Sequence, residues 1–124
     1  MADSIGIDIS EVARLQRLLD KYGPRLIGRL LGSGEVEIFA RRRDRAAFLA
    51  GRFAAKEAII KALGKYLSVR PSYSQLEILN DQTGRPELRL PAALARQLAH
   101  VRIEISISHE QDYAVGLAIC TENR

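Results

Sequence analysis

The feature that most constrains the fold is a stripe of small residues along the longest predicted helix. Helical periodicity runs from Asp44, a candidate N-cap, to about Leu63, and Gly64 is typical of a position that ends a helix. Along one face, small side chains recur at three- and four-residue spacing, at Ala47, Gly51, Ala54, Ala58 and Ala62. Side chains this small let another backbone approach closely. The stripe therefore predicts a central helix packed tightly against a sheet or a second helix.

Segments with alternating apolar residues predict the strands. The first, SIGIDI, is followed by a predicted helix with Ser10 as its N-cap, and Gly23 and Pro24 end that helix. The turn NDQTGRP joins two further segments into a hairpin, and the last two segments form a second hairpin. The five segments are 4–9, 75–79, 87–90, 101–107 and 113–120. The predicted class is α+β, a single domain over residues 1–124 with a mainly antiparallel sheet packed on the long central helix.

Composition and charge narrow the classes of protein that fit. The chain has 124 residues, enough for one domain with its own core, and a single cysteine, which excludes an internal disulfide and a cysteine-based zinc site. No apolar run approaches the ~18 residues that cross a bilayer, and the N-terminal sequence lacks the pattern of a signal peptide. We therefore expect a cytoplasmic protein without a membrane contact. The net charge of +4 favours an anionic partner, which is nucleic acid, a phosphorylated cofactor or an acidic protein.

Three residues lie where chemistry would be expected, and each also has a simpler structural role. Asp8 lies near Gly6, whose missing side chain leaves room for a bulky group, but a carboxylate there also suits the start of the next helix. Glu57 lies at the edge of the apolar stripe of the long helix, where it would also pair with Lys61 four residues later. His109 ends a strand at a tight turn, a position in which histidine is usually structural.

Two carboxylates without a histidine or cysteine partner suit a hard cation such as Mg²⁺, which takes further ligands from water and substrate phosphates. Basic residues flank Glu57 on its helix, and an arginine follows the glycine of the hairpin turn. These residues are Arg52, Lys56, Lys61, Lys65 and Arg85. Their charges fit a diphosphate. The chain has neither a GxxxxGK[ST] nor a GxGxxG motif, so the residues alone indicate a candidate Mg²⁺–diphosphate site and no more.

Three motifs occur in an order and with a spacing that resemble a known family: GIDISEVARL at 6–15, FAAKEAIIKALG at 53–64 and SISHEQDYAVGLA at 106–118. The family is that of the holo-[acyl-carrier-protein] synthases, the small bacterial class of 4′-phosphopantetheinyl transferases. The resemblance covers essentially the whole chain. It implies the 4′-phosphopantetheinyl transferase fold and transfer of phosphopantetheine from coenzyme A to a serine of an apo acyl carrier protein, releasing adenosine 3′,5′-bisphosphate. It also implies dependence on Mg²⁺ and a place in fatty acid biosynthesis.

The resemblance further implies roles for individual residues. Asp8 and Glu57 match the Mg²⁺ ligands, and Lys61 joins them in the catalytic set. The residues that match the coenzyme A site are Lys56, Lys61, Gly64, Gly84, Arg85, Pro86, Ser108 and His109. A basic line on the first helix, formed by Arg14, Arg17 and Lys21, gains the acidic carrier as its partner. Arg14 matches the docking arginine of the family, whereas a solvated helix face is the simpler interpretation for the other two.

Such enzymes are typically homotrimers with active sites at the subunit boundaries. The apolar strand at 101–107 and the alternating strand at 113–119 are compatible with sheet contacts between subunits. Two alternatives to the leading function stay open: the same transfer to a dedicated carrier, such as one of polyketide synthesis, and a module that binds coenzyme A or a nucleotide without catalysis. A nucleic-acid binder is supported only by the basic charge, because no recognised module is present and aromatic residues for stacking are few.

Overall fold

A long helix and a three-stranded antiparallel sheet form the centre of the molecule, as the sequence predicts. The computed structural model describes residues 2–123. Its helices are α1 (Val12–Tyr22), α2 (Pro24–Leu30), α3 (Ser33–Ala40), α4 (Arg45–Leu63) and α5 (Ala92–Gln97), with a 3₁₀ helix at Tyr73–Gln75. Its strands are β1 (Ser4–Glu11), β2 (Glu77–Asn80), β3 (Pro86–Arg89), β4 (Val101–His109) and β5 (Tyr113–Glu122). Within the described residues, none of the helices combines the length and apolar character that a membrane crossing requires.

The central sheet has the strand order β1–β5–β4, and both pairs are antiparallel. The register places Asp8 of β1 opposite Gly116 of β5, and Ser108 of β4 opposite Val115. Strands β2 and β3 form a separate antiparallel hairpin. The α+β class, the central helix and both predicted hairpins are therefore confirmed.

Helix α4 crosses the sheet at very short distance because two strand glycines face it. A Cβ atom on Gly6 of β1 would lie 1.9 Å from the carbonyl oxygen of Ala58, and one on Gly116 of β5 would lie 2.4 Å from the amide nitrogen of Ala55. Both distances are far below van der Waals contact, so any other residue would force the backbones apart. The close packing predicted from the small-residue stripe is confirmed. The interpretation that Gly6 leaves room for a bulky group is wrong, because α4 fills that space.

Helix α4 is buried around most of its circumference because apolar layers cover it on two sides. On the sheet side, Ile59 and Leu63 belong to a buried cluster with Leu76, Ile78 and Cys120. On the other side, α4 packs against the first three helices; the buried members there are Leu15, Leu30, Leu31, Phe39, Phe48, Leu49, Ala50 and Ala114. Each large apolar side chain buried in this way contributes roughly 1.5–3 kcal/mol. The helix is therefore a rigid support for the polar side chains at its edge.

Two helix starts differ in detail from those predicted. Strand β1 continues through Ser10, which pairs with Ala114 and is buried, so Ser10 is not the N-cap of α1; that position is Glu11. Asp44 does occupy the N-cap position of α4, but its carboxylate accepts two bonds from Arg42, at 2.6 and 2.7 Å, and makes no capping bond. The Arg42 guanidinium holds the pKa of the Asp44 carboxyl below its usual value.

The outer face of the central sheet is apolar on two strands and polar on the third. The three β1 isoleucines, Ile5, Ile7 and Ile9, point away from α4 and are 62%, 59% and 62% exposed. Their partners in register on β5 are Ile119, Leu117 and Val115. On β4 the alternation is reversed, because its isoleucines at 103–107 pack inward against the core beside α4. The apolar side chains of residues 101–107 are therefore used within the chain, and the exposed isoleucines of the sheet lie on β1, beside the partly buried outer residues of β5.

Replacing Gly6 by alanine is expected to lower the free energy of unfolding by about 2–3 kcal/mol, because the new methyl group overlaps the Ala58 carbonyl. The matched control is Gly28→Ala on α2, where an added Cβ meets nothing within 4 Å and alanine favours the helix. Its stability should be unchanged or higher by up to about 1 kcal/mol. Urea unfolding at one fixed protein concentration measures both. Equal midpoints for wild type and Gly6→Ala would contradict the tight contact of β1 with α4.

Candidate active site

Asp8 of β1 and Lys61 of α4 form an ion pair across the contact between strand and helix. The Lys61 ammonium donates to Asp8 Oδ1 at 2.9 Å and to the carbonyl oxygen of Ile7 at 3.0 Å. Two residues predicted to be catalytic, which are 53 positions apart in the chain, are thus brought together. Because Lys61 bonds to β1, the intrahelical pair with Glu57 that the sequence also allowed is not formed.

Glu57 is held by two residues from the loop that follows α4. Its Oε1 accepts a hydrogen bond from the Tyr73 hydroxyl and another from Arg70 Nη2 at 3.1 Å. The Glu57 side chain is 22% exposed. Burial and the bond to Glu57 raise the pKa of Tyr73, so this phenol stays a proton donor at neutral pH. The Asp8–Lys61 pair lies about one helical turn further along the same face of α4.

The donor set at this edge of α4 fits a hard divalent cation. Glu57 and Lys61 are four residues apart on one helix face, and Asp8 bonds to Lys61, so both carboxylates lie on the same side of α4. Among residues 2–123, no group of three His, Cys, Asp or Glu side chains is placed to hold a metal ion. A cation here would have two carboxylates and take its other ligands from water or substrate. Oxygen donors with that incomplete protein shell suit Mg²⁺ rather than zinc.

Lys56, the neighbour of Glu57 in sequence, points into the core. Its ammonium is fully buried and donates to Glu35 Oε1 at 2.6 Å, to the Leu30 carbonyl at 2.6 Å and to the Tyr73 carbonyl at 3.0 Å. Burial lowers the pKa of Lys56, and the Glu35 carboxylate opposes that shift. All three ammonium hydrogens are used. The expectation that Lys56 lines the cofactor site is therefore corrected, since this residue offers no free charge to a diphosphate and instead supports the loop that binds Glu57.

A second group of predicted cofactor residues gathers around the first half of α4, in an open groove. Its lining includes the predicted Gly84, Pro86 and His109, together with Arg42 and Arg52. The exposed Arg85 lies on the same turn, and the exposed Ser108 precedes the groove histidine. Gly84 adopts a φ of 86°, which favours glycine in this turn. We call this group the arginine groove.

The arginine groove is separate from the residues around Glu57 within one chain. The last α4 residue in the groove lining is Arg52, and Glu57 and Lys61 follow it by five and nine residues. At 1.5 Å per residue, Glu57 is about 7.5 Å and Lys61 about 13.5 Å further along the helix axis. Gly64, at the end of α4, lines a shallow pocket with Arg70 on the Glu57 side. We call Asp8, Glu57 and Lys61 the carboxylate half-site, since the structure divides the predicted residues into this part and the arginine groove.

Arg70 and Tyr73, the two residues that bind Glu57, escape prediction from the sequence. They lie 13 and 16 residues after it, in a stretch between α4 and β2 without helical or strand periodicity. The path of that stretch brings them back to Glu57, and the Lys56 bond to the Tyr73 carbonyl fixes the path. No local sequence signal identifies either residue.

Helix α1 presents the predicted basic line to solvent. Arg14, Arg17 and Lys21 are all exposed. The Arg14 guanidinium lies 5.9 Å from the centre of the Phe53 ring, so it adjoins α4 one turn before Glu57. Helix α2 extends the basic surface with Arg25 and Arg29, which line a groove beside Tyr22. The surface suits an acidic partner that would approach next to the carboxylate half-site.

Comparisons with known proteins agree over nearly the whole chain. The model of the 4′-phosphopantetheinyl transferase superfamily matches residues 4–118. The holo-[acyl-carrier-protein] synthase of Halalkalibacterium halodurans is 41% identical over 116 residues, which is 92% of this chain and 91% of the relative. The crystal structure of the synthase from Neisseria meningitidis superposes with a TM-score of 0.89 at 33% identity, covering 98% of this chain and 100% of the other. For the synthase from Bacillus anthracis in complex with CoA (3′,5′-ADP), the TM-score is 0.78 at 32% identity, covering 100% and 99%. This chain belongs to the 4′-phosphopantetheinyl transferase superfamily and, within it, to the holo-[acyl-carrier-protein] synthases.

Proposed function

We propose that this chain transfers the 4′-phosphopantetheine group of coenzyme A to a serine hydroxyl of an apo acyl carrier protein. The products are holo-carrier protein and adenosine 3′,5′-bisphosphate. Similarity over the full length to holo-[acyl-carrier-protein] synthases supports the reaction, and the CoA complex of the Bacillus anthracis relative supports the donor. The observation on this chain that carries the proposal is the carboxylate half-site, with Asp8, Lys61 and Glu57 at one edge of α4.

In the transfer, the serine oxygen bonds to the phosphorus that bears the pantetheine arm. The bond from that phosphorus to the bridging oxygen breaks, and adenosine 3′,5′-bisphosphate leaves with the electron pair. The serine proton passes to a base, for which Asp8 and Glu57 are the candidates at this edge of α4. Lys61 is 53% exposed and supplies positive charge where the phosphates would lie.

We infer that Asp8 and Glu57 bind Mg²⁺ together with the diphosphate. Two carboxylates without imidazole or thiolate neighbours are the donors that this ion prefers. A bound Mg²⁺ polarises the diphosphate and offsets charge on the leaving group. Tyr73 and Arg70 already orient the partly exposed Glu57 carboxylate in the free protein. Glu57 can therefore bind the cation without any change in the backbone of α4.

We infer that the chain forms a homotrimer in which neighbouring chains complete each site. One support is that the arginine groove and the carboxylate half-site lie apart along α4, with Arg52 about 7.5 Å from Glu57 and about 13.5 Å from Lys61 along the helix axis. The other is the apolar outer face of β1 and β5, with three isoleucines about 60% exposed. A contiguous apolar face of this kind is typical of an interface between chains. Contact through the sheet would cover that face.

The acidic partner that fits the basic surface of α1 and α2 is the carrier protein itself. Arg14 of that surface adjoins α4, at its contact with Phe53. A carrier docked there would present its serine near Glu57, four residues further along the helix. Such a reaction serves fatty acid biosynthesis in the cytoplasm, and this role is part of the proposal.

Intact mass spectrometry of an apo acyl carrier protein, incubated with this protein, coenzyme A and Mg²⁺, tests the proposed reaction. We expect one mass gain of the size of phosphopantetheine, which EDTA abolishes. Glu57→Gln should lose at least about 100-fold in rate, because the neutral amide is a poor cation ligand, while its circular dichroism spectrum stays unchanged. Coenzyme A binding without any mass gain on several carriers would instead support the non-catalytic module. An unchanged rate for Glu57→Gln would contradict the metal assignment.

Arg14→Ala should raise the KM for the carrier roughly fivefold, because it removes one charge from the docking surface. The KM for coenzyme A should stay the same. The matched control is Arg96→Ala, an exposed arginine on α5 with no place in either half-site. Steady-state rates at varied carrier concentration separate the two constants. Equal carrier KM values for Arg14→Ala and Arg96→Ala would exclude docking at this position.

Ile7→Glu should dissociate the trimer, because it puts a charge in the centre of the exposed β1 face. The control is Val36→Glu, which introduces the same charge at an exposed apolar residue of α3. Size-exclusion chromatography with light scattering gives the molar mass of each. A trimeric mass for Ile7→Glu, or a monomeric mass for wild type, would contradict this interface.

A further inference from the structure

Glu57, Arg70 and Tyr73 form a closed triangle of hydrogen bonds. Both Arg70 Nη2 and the Tyr73 hydroxyl donate to Oε1 of Glu57, and Arg70 Nη2 also donates to the Tyr73 hydroxyl oxygen at 3.0 Å. The second carboxylate oxygen, Oε2, accepts no bond from any of residues 2–123. The carboxylate is therefore gripped through one oxygen, and its other oxygen is left for a ligand from outside the chain.

The two gripping residues differ in how firmly they are held. Tyr73 lies in the 3₁₀ helix, its carbonyl accepts from the buried Lys56 at 3.0 Å, and its ring meets the Phe53 ring edge-on at 5.5 Å. Arg70 lies in the loop before it, and its side chain is 59% exposed. Tyr73 is therefore a neutral donor that is held in a fixed position. Arg70 has a long and exposed side chain, so it can move away from Glu57 without disturbing the core.

The two residues also differ in charge, which gives them opposite effects on a cation. The neutral Tyr73 hydroxyl fixes the orientation of Glu57 and so favours a cation at Oε2. The positive charge of Arg70 already neutralises Glu57 and repels a second positive charge nearby. Removal of the tyrosine hydroxyl and removal of the arginine charge should therefore change the affinity for a cation in opposite directions.

We propose that Tyr73 and Arg70 form a clamp on Oε1 of Glu57, in which Tyr73 positions the carboxylate for a divalent cation and Arg70 weakens the binding of that cation. The inference rests on the proposed function, because it takes Glu57 as a cation ligand. Both are positioning residues, since they act through Glu57. Arg70 thereby sets the cation concentration at which the site fills.

Binding of Mn²⁺, used as a spectroscopic probe in place of Mg²⁺, tests the clamp without an activity assay. Electron paramagnetic resonance reports the free ion as the full-length protein is titrated, with and without coenzyme A. We expect Arg70→Gln to bind Mn²⁺ roughly two- to fivefold more tightly, which is the range of an exposed ion pair. Tyr73→Phe should bind it more weakly by a similar factor. Arg96→Gln, which removes a remote exposed charge, is the control and should match wild type.

Several results would overturn the clamp. The proposal requires Mn²⁺ to bind Arg70→Gln more tightly and Tyr73→Phe more weakly. Weaker binding by both variants, which a general loss of structure would also produce, contradicts it. If Arg70→Gln weakens binding only when coenzyme A is present, Arg70 serves the diphosphate instead. Equal affinities for wild type and Tyr73→Phe would remove the positioning role. If Glu57→Gln keeps the Mn²⁺ affinity of wild type, Glu57 is not a cation ligand and the clamp is excluded. The transfer reaction is tested separately, by the mass gain on the carrier.

Discussion

The contact of helix α4 with strand β1 is the constraint on which the carboxylate half-site depends. Gly6 lets the strand backbone reach the Ala58 carbonyl, where even a methyl group would overlap. Two residues further along the same face of the strand, Asp8 then lies within 2.9 Å of Lys61. The Lys61 bond to the Ile7 carbonyl fixes the strand at that position along the helix. A larger residue at position 6 would therefore affect the site as well as the core, because both use the same short distance.

A buried charge cluster inside the molecule lies between the two halves of the site. The Glu35 carboxylate bonds to Lys56 and lies 3.4 Å from Arg52 Nε. Lys56 continues to the Tyr73 carbonyl, next to the carboxylate half-site, and Arg52 continues to Asn80 in the arginine groove. Breaking a buried pair of this kind typically costs about 3–5 kcal/mol, although replacing the whole group by apolar residues need not. The cluster also connects to both halves of the site, because Lys56 holds the backbone of Tyr73 and Arg52 bonds to Asn80.

The limits of sequence reasoning follow from the range over which each signal acts. The stripe of α4 and the alternation of the strands are local patterns, so the central helix and the hairpins could be predicted. The inward direction of Lys56 had a local signal too, because Arg52 and Lys56 fall on the line of Leu49, Ile59 and Leu63 at three- and four-residue spacing, all buried. Its counter-charge on α3 and the loop that brings two donors to Glu57 depend on tertiary packing. No local sequence pattern predicts those partners.

The charges of the carboxylate half-site explain why its ligands should bind together. Asp8 and Glu57 are matched by Lys61 and Arg70, so the four side chains sum to zero in the free protein. A divalent cation alone would raise that sum by two positive charges in a half-buried site, which is unfavourable. A diphosphate alone would face two carboxylates. Bound as a pair, the cation and the diphosphate restore a balance close to zero, and Lys61 becomes free to turn from Asp8 towards the phosphates. Electrostatics at this edge of α4 thus couples the two ligands, and the exposed Lys61 side chain has room to make that exchange.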